Sequence, residues 1–226
     1  MKKASPKSYV LATSVLCALA MCFVDGVIQP PYGVKSALKI VLFLLVPLAY
    51  FARFHEWERL KALFVPKKRD LVIAICLGIG AFGFLLGGYW VLNRFLDLTD
   101  TILQLTADGG VNPENFGWIS MYIALVNSLL EEFFFRGFAF LSLKRLTNRC
   151  FAYLFSAAAF AVYHFGMFAG DRNLLIWFLA MAGLVIAGMV LNFLNEKSGN
   201  IITSWLFHMF ANLSINTIGF YVFGML

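Results

Sequence analysis

Two glutamates and an arginine interrupt a stretch otherwise suited to lipid. Residues 127–138 read NSLLEEFFFRGF, and an ionisable side chain inside a membrane span is costly unless it is paired or wetted. Residues four apart share a helical face, so Glu132 reaches Arg136 and is neutralised by it. Glu131 lies about 100° around the helix from Glu132 and shares its face with Asn127. The two glutamates are therefore expected to differ, one paired and one available. Two more polar sites fall in later apolar runs. FAVYHFG contains His164, and HMFANL contains His208 and Asn212, four apart on one face.

These residue types support hydrolysis without a covalent nucleophile. A glutamate partly stripped of water suits a general base, and with a histidine beside it polarises water for attack on a carbonyl. A histidine N–H and an asparagine amide can donate to the oxyanion that develops. A serine mechanism has little support: there is no Gly-x-Ser-x-Gly stretch, and Ser128 and Ser214 read as ordinary helix serines. Zinc is the competing chemistry, held by Glu131, His164 and His208 with a position left for water. The His-Glu-x-x-His stretch of one-helix zinc sites is missing. The reading preferred here needs no cofactor, and zinc stays open as the alternative.

The elements that must position these groups follow from composition. The chain has 226 residues, 61% hydrophobic and 13% charged, too apolar to keep its surface polar in water. Seven apolar runs, near 9–28, 37–54, 71–92, 117–140, 151–169, 174–194 and 201–223, are each about long enough to cross a bilayer. They are continuous rather than alternating, which disfavours a β-barrel. The expected fold is thus all-α, a polytopic membrane bundle of about seven helices, since lipid offers backbone groups no outside partner.

The net charge of +6 reads as topology rather than as affinity for nucleic acid. Lys2, Lys3 and Lys7 precede the first run. Arg53, Arg59, Lys61, Lys67, Lys68 and Arg69 follow the second, Lys144, Arg145 and Arg149 the fourth, and Lys197 the sixth. The alternate loops carry Lys35 (with Lys39 at the start of the second run), Arg94 and Arg172. That asymmetry predicts a cytoplasmic N-terminus. On this topology, at about 1.5 Å per residue, Glu131, His164, His208 and Asn212 lie roughly 13, 20, 10 and 16 Å in from the cytoplasmic side. Three helices therefore bring polar groups to one level of the membrane, as a shared wet cavity would require.

The remaining features have plainer readings. The first run continues past the cleavage-like ALA at 18–20, so it is expected to be an uncleaved span. Cys17, Cys22, Cys76 and Cys150 lack metal-ligand spacing. Residues 55–66 suit a short interfacial helix, with His55 as a surface residue. The loop 93–116, carrying Asp97, Asp100, Asp108 and Glu114, is read as solvated, with a helical first half and a turn at DGGVNP. Asp25 is placed at the outer interface without a function. The small-residue pairs Gly83/Gly87 and Gly183/Ala187 are read as helix packing within the molecule rather than as dimerisation.

The order Glu-Glu-x-x-x-Arg, Phe-x-x-x-His, His-x-x-x-Asn on successive spans resembles the CAAX protease and bacteriocin-processing family of intramembrane endopeptidases. Here the motifs are Glu131, Glu132 and Arg136, then Phe160 and His164, then His208 and Asn212. The resemblance covers about residues 120–226. It implies a single membrane domain over 1–226, with a catalytic helix core at 117–226 behind more variable helices in 1–116. It also implies that Glu131 and His164 activate water, that His208 and Asn212 form the oxyanion hole, that Glu132 assists, and that Arg136 holds Glu132 and the helix. The compact chain with a basic N-terminus reads as bacterial, hence as a multi-pass plasma-membrane protein. The expected partners are the lipid bilayer and a membrane-anchored peptide or protein substrate, such as a bacteriocin or pheromone precursor or a sorting-signal tail. A non-enzymatic membrane scaffold or immunity factor, and a proton-relay transporter, are the alternative readings.

Overall fold

A computed structural model describes residues 5–108, 110–168 and 173–226, without the side chain of Asp108. Lys2, Lys3 and Arg172, counted above for topology, lie outside the described residues. Nine helical segments follow one another, with no strand among the described residues. Helix α1 is Pro6–Ile28 and α2 is Tyr32–Arg53. The short α3, Trp57–Ala62, fills the place of the foreseen interfacial helix, and His55 before it is exposed. Then come α4, Lys68–Leu92, and α5, Leu98–Asp108, which is the helical half of the acidic loop. Next are α6, Pro113–Leu146, α7, Arg149–Phe165, α8, Leu174–Ser198, and α9, Ile202–Val222.

The helix starts are set by local chemistry. Ser5, Asn112, Asn148 and Asn173 each cap the following helix with a side-chain oxygen, which satisfies amide groups that the helix itself leaves open. Pro6 and Pro113 stand in the first turn, where no N–H is needed.

Six helices are long and apolar enough to cross a membrane: α1, α2, α4, α6, α8, and α7 taken with its following 3₁₀ turn. The chain is a polytopic helical membrane protein. The seventh foreseen span, α9, has 21 residues, enough for about 30 Å. It is less apolar because it carries His208, Asn212 and Asn216.

Several helices are not regular. Their ladders widen into π turns at Val24–Ile28, Ile40–Leu45, Ile123–Asn127 and Glu132–Phe140. The widening in α2 directly precedes Pro47, which lacks an N–H and would clash with the carbonyl four residues back. Those in α6 flank Glu131, a placement often met at functional sites.

Helix α6 runs through the centre of the bundle. Phe133, Phe134, Phe135, Phe138 and Phe140 are all buried. Phe134 stacks on Phe43 of α2 with ring centroids 4.4 Å apart, and Tyr163 of α7 meets Phe43 edge-on at 5.2 Å. The aromatic run therefore locks α2, α6 and α7 together. The glycines that allow close packing are not the expected pairs. A side chain at Gly83, Gly87 or Gly183 would meet nothing within 4 Å, whereas one at Gly78 would strike the Phe210 ring of α9. Gly183 and Ala187 line a cavity instead of a helix contact.

Candidate active site

The cavity has a volume of about 590 Å³ and is bordered by Lys39, Asn127, Glu131, His164, His208 and Asn212. Its other walls are largely aliphatic, with Leu179, Ala180 and Leu184 from α8 and Ile102 and Leu105 from α5. A small polar group of residues thus sits in an apolar chamber reached from four helices.

Glu131 is buried, and its two oxygens have different surroundings. Oε1 accepts hydrogen bonds from Asn127 Nδ2 at 2.7 Å and from the Tyr163 hydroxyl at 2.8 Å. Lys39 Nζ stands 3.6 Å from the same oxygen. Oε2 faces His208 Nε2 at 3.8 Å and His164 Nε2 at 4.0 Å. One oxygen is tied by donors, and the other looks across a gap at two ring nitrogens.

The histidines are oriented from behind. The Phe160 carbonyl lies 2.8 Å from His164 Nδ1, so that nitrogen carries the proton donated to it. Glu132 Oε1 takes the Nδ1 of His208 at 3.0 Å. In both rings Nε2 is the nitrogen left to the cavity. Glu132 thus points away from Glu131 and also meets Arg136 Nη1 at 3.3 Å. Arg136 has no exposed surface, and its guanidinium lies over the Phe160 ring at 4.2 Å. That ring also borders His164 at 4.6 Å and His208 at 6.0 Å. Phe160 therefore carries the arginine over its ring, a cation–π arrangement in a desolvated place, and meets both imidazoles edge-on.

Asn212 lines the cavity and donates one amide hydrogen to the Ile123 carbonyl at 3.2 Å. It belongs to a series. Trp205 donates to Leu125 and Asn216 to Ser120, so three side chains of α9 bond carbonyls along the first part of α6, through its first π turn. This backbone register holds α9 against α6 at the depth where His208 meets the glutamates. The second amide hydrogen of Asn212 has no such partner.

Of the residues named from sequence, Glu131, Glu132, His164, His208, Arg136 and Phe160 are brought into direct contact or near contact, and Asn212 shares their cavity. Two others were overlooked. Lys39 had been counted only as a topology charge, and Tyr163 is the unremarked neighbour of His164 in the second motif. The signal for Lys39 was its position directly before the apolar run IVLFLLVPL. Asp25, expected to have no function, is buried, pairs with Lys35 at 3.1 Å, and borders the same cavity. The π turn that closes α1 lies beside the tight approach of Gly166 to Cys22 and Gly26.

The zinc alternative can be tested on donor spacing. Ligands held at about 2.0 Å in a tetrahedron lie roughly 3.3 Å from one another. Glu131 Oε2 is 3.8 and 4.0 Å from the two imidazole nitrogens, wider than that. Among the described residues, no group of three or more His, Cys, Asp or Glu side chains is gathered so as to hold a metal ion.

Residues 113–214 match the family model of type II CAAX prenyl endopeptidases, Rce1-like. No curated protein and no solved structure matches the chain. The matched stretch contains every group of the glutamate, histidine and asparagine constellation. Over residues 113–214 the chain is similar to the Rce1-like CAAX endopeptidases, a match that supports a membrane protease.

Proposed function

We propose that the chain cleaves a peptide bond of a membrane-associated substrate with a water molecule activated by Glu131, without a metal. The observation that carries this reading is the asymmetry of Glu131. Oε1 is occupied by Asn127 and Tyr163, while Oε2 faces His164 and His208 across gaps of 4.0 and 3.8 Å. A water placed there meets a base and an orienting imidazole together.

In this mechanism Glu131 Oε2 takes a proton from the water while His164 Nε2 accepts its other hydrogen bond. The water oxygen bonds to the scissile carbonyl carbon, and the carbonyl π electrons move to its oxygen. His208 in its imidazolium form, with Nδ1–H on Glu132, donates Nε2–H to that oxyanion, and Asn212 donates its unused amide hydrogen. The tetrahedral species collapses as Glu131 passes its proton to the amide nitrogen, the C–N bond breaks, and an acid and an amine leave. Glu132 and Arg136 set the ring of His208. Helices within 117–226 carry the chemistry, and those within 1–116 enclose it. The aliphatic walls suit a substrate that enters from lipid, such as a membrane-anchored peptide, a bacteriocin or pheromone precursor, or a sorting-signal tail. The setting is a bacterial plasma membrane with the N-terminus inside.

The test compares protein termini in membranes from cells expressing wild type or Glu131→Gln at equal levels. New termini with the wild type alone are expected, and they name the substrate. Identical termini would return the chain to a non-catalytic scaffold. Cleavage that survives chelation supports the metal-free route; loss on chelation and recovery with zinc would replace it.

A further inference from the structure

We propose that Lys39 is a positioning residue for Glu131: it fixes Asn127, sets a cation beside Oε1, and so selects Oε2 as the reactive oxygen. This rests on the reading of Glu131 as the base. Lys39 comes from α2, outside the three polar motifs and outside the stretch that matches the family. It is nonetheless buried beside the cavity. A lysine taken out of water in a span needs a partner.

Its contacts form a relay. Lys39 Nζ donates to Asn127 Oδ1 at 2.7 Å, and Asn127 Nδ2 donates to Glu131 Oε1 at 2.7 Å. An amide has one acceptor and one donor end. With Lys39 on the oxygen, the NH₂ must turn to the glutamate. Without Lys39 the amide oxygen loses its donor, and a flipped amide could offer that oxygen only to a protonated Glu131. The ammonium also lies 3.6 Å from Glu131 Oε1 and 5.0 Å from the centre of the Tyr163 ring. From α1, the other acid bordering the cavity, Asp25, is taken by Lys35 at 3.1 Å. From α7 and α9 the groups facing this point are His164, Tyr163 and His208, none of them an anion to compete for Lys39. Glu131 is therefore the carboxylate left for Lys39. The widened turn that starts at Ile40 sits directly after it, so α2 changes its pitch where the lysine enters the site.

The experiment uses the full chain in detergent micelles and dicyclohexylcarbodiimide, an apolar reagent that adds to protonated carboxyls. Label at Glu131 is read by peptide mass spectrometry at neutral pH, with Glu131→Gln as the position control. Wild type is expected to label slowly. Lys39→Met should label at Glu131 at least about tenfold faster, and Lys39→Arg should restore protection. Lys39→Gln keeps a hydrogen-bond donor in the span and gives the same answer if Lys39→Met does not fold. A merely structural lysine would lower the melting temperature without changing the labelling of folded protein. Equal labelling in wild type, Lys39→Gln and Lys39→Arg overturns the proposal. If Glu131→Gln still cleaves while labelling depends on Lys39, the base assignment fails and the relay stands.

Discussion

Two glutamates on different helices differ in how their oxygens are occupied, and the difference underlies the role proposed for Glu131. Glu196, near the end of α8, receives Arg149 Nε and Nη2 at 2.9 Å, Lys144 Nζ at 2.9 Å and the Tyr153 hydroxyl at 2.7 Å. Both of its oxygens are used, and the result ties α6, α7 and α8 at one end of the bundle. Glu131 also has a lysine and a tyrosine, with an amide in place of the arginine, but all three converge on Oε1. Its second oxygen is left to the cavity. Saturating both oxygens uses up a carboxylate; saturating one orients it and leaves the other for a reactant.

That contrast can be broken by mutation. Glu131→Gln is expected to reduce cleavage by about a thousandfold or more, while the thermal midpoint stays within about 3 °C of wild type. Normal turnover by this variant would make Glu131 as structural as Glu196. Arg136→Ala leaves Glu132 buried without its cation and should destabilise the fold by about 3–5 kcal/mol. Denaturation in micelles and the yield of folded protein would measure it, and a wild-type melt would mean that Glu132 is held by His208 alone. Asn212→Ala removes one oxyanion donor and should lower kcat by roughly a hundredfold. Ile123 still accepts from the backbone of Ser128, so the stability change should be small; an unchanged kcat would assign Asn212 to helix packing only. Glu196→Gln is the smallest change. Its partners are solvated, so salt screens the cluster, and the melting temperature should move by no more than about 3 °C with cleavage unaltered. A large loss of activity there would erase the distinction between the two sites.

Much of the site was legible because its closest pairs are local. Asn127 with Glu131, and Glu132 with Arg136, are four apart on one helix, and helical pitch places them together whatever surrounds them. The different directions of Glu131 and Glu132 follow from the same pitch. Helix count and class were legible too, since the apolar runs had to satisfy their own backbones. The short helices at Trp57–Ala62 and Leu98–Asp108 also appear where composition had placed them. What misled was the small-residue spacing read as contact with another helix. Gly83 and Gly87 carry the spacing of a packing pair and face open space, while Gly78 takes Phe210.

Helical pitch and the avoidance of unpaired backbone in lipid thus settled the fold class and the pairs within α6 from residue order alone. The fold alone decided that Lys39, 88 residues before Asn127, reaches it. It also decided that Asp25 pairs with Lys35, that α6 widens on both sides of Glu131, and which carboxylate oxygen faces the histidines. The reason is physical. Spacing along one helix is set by covalent geometry and hydrogen bonding. The rotation and depth of one helix against another come from the summed packing of distant side chains, here the aromatic run of α6 and the donors of α9.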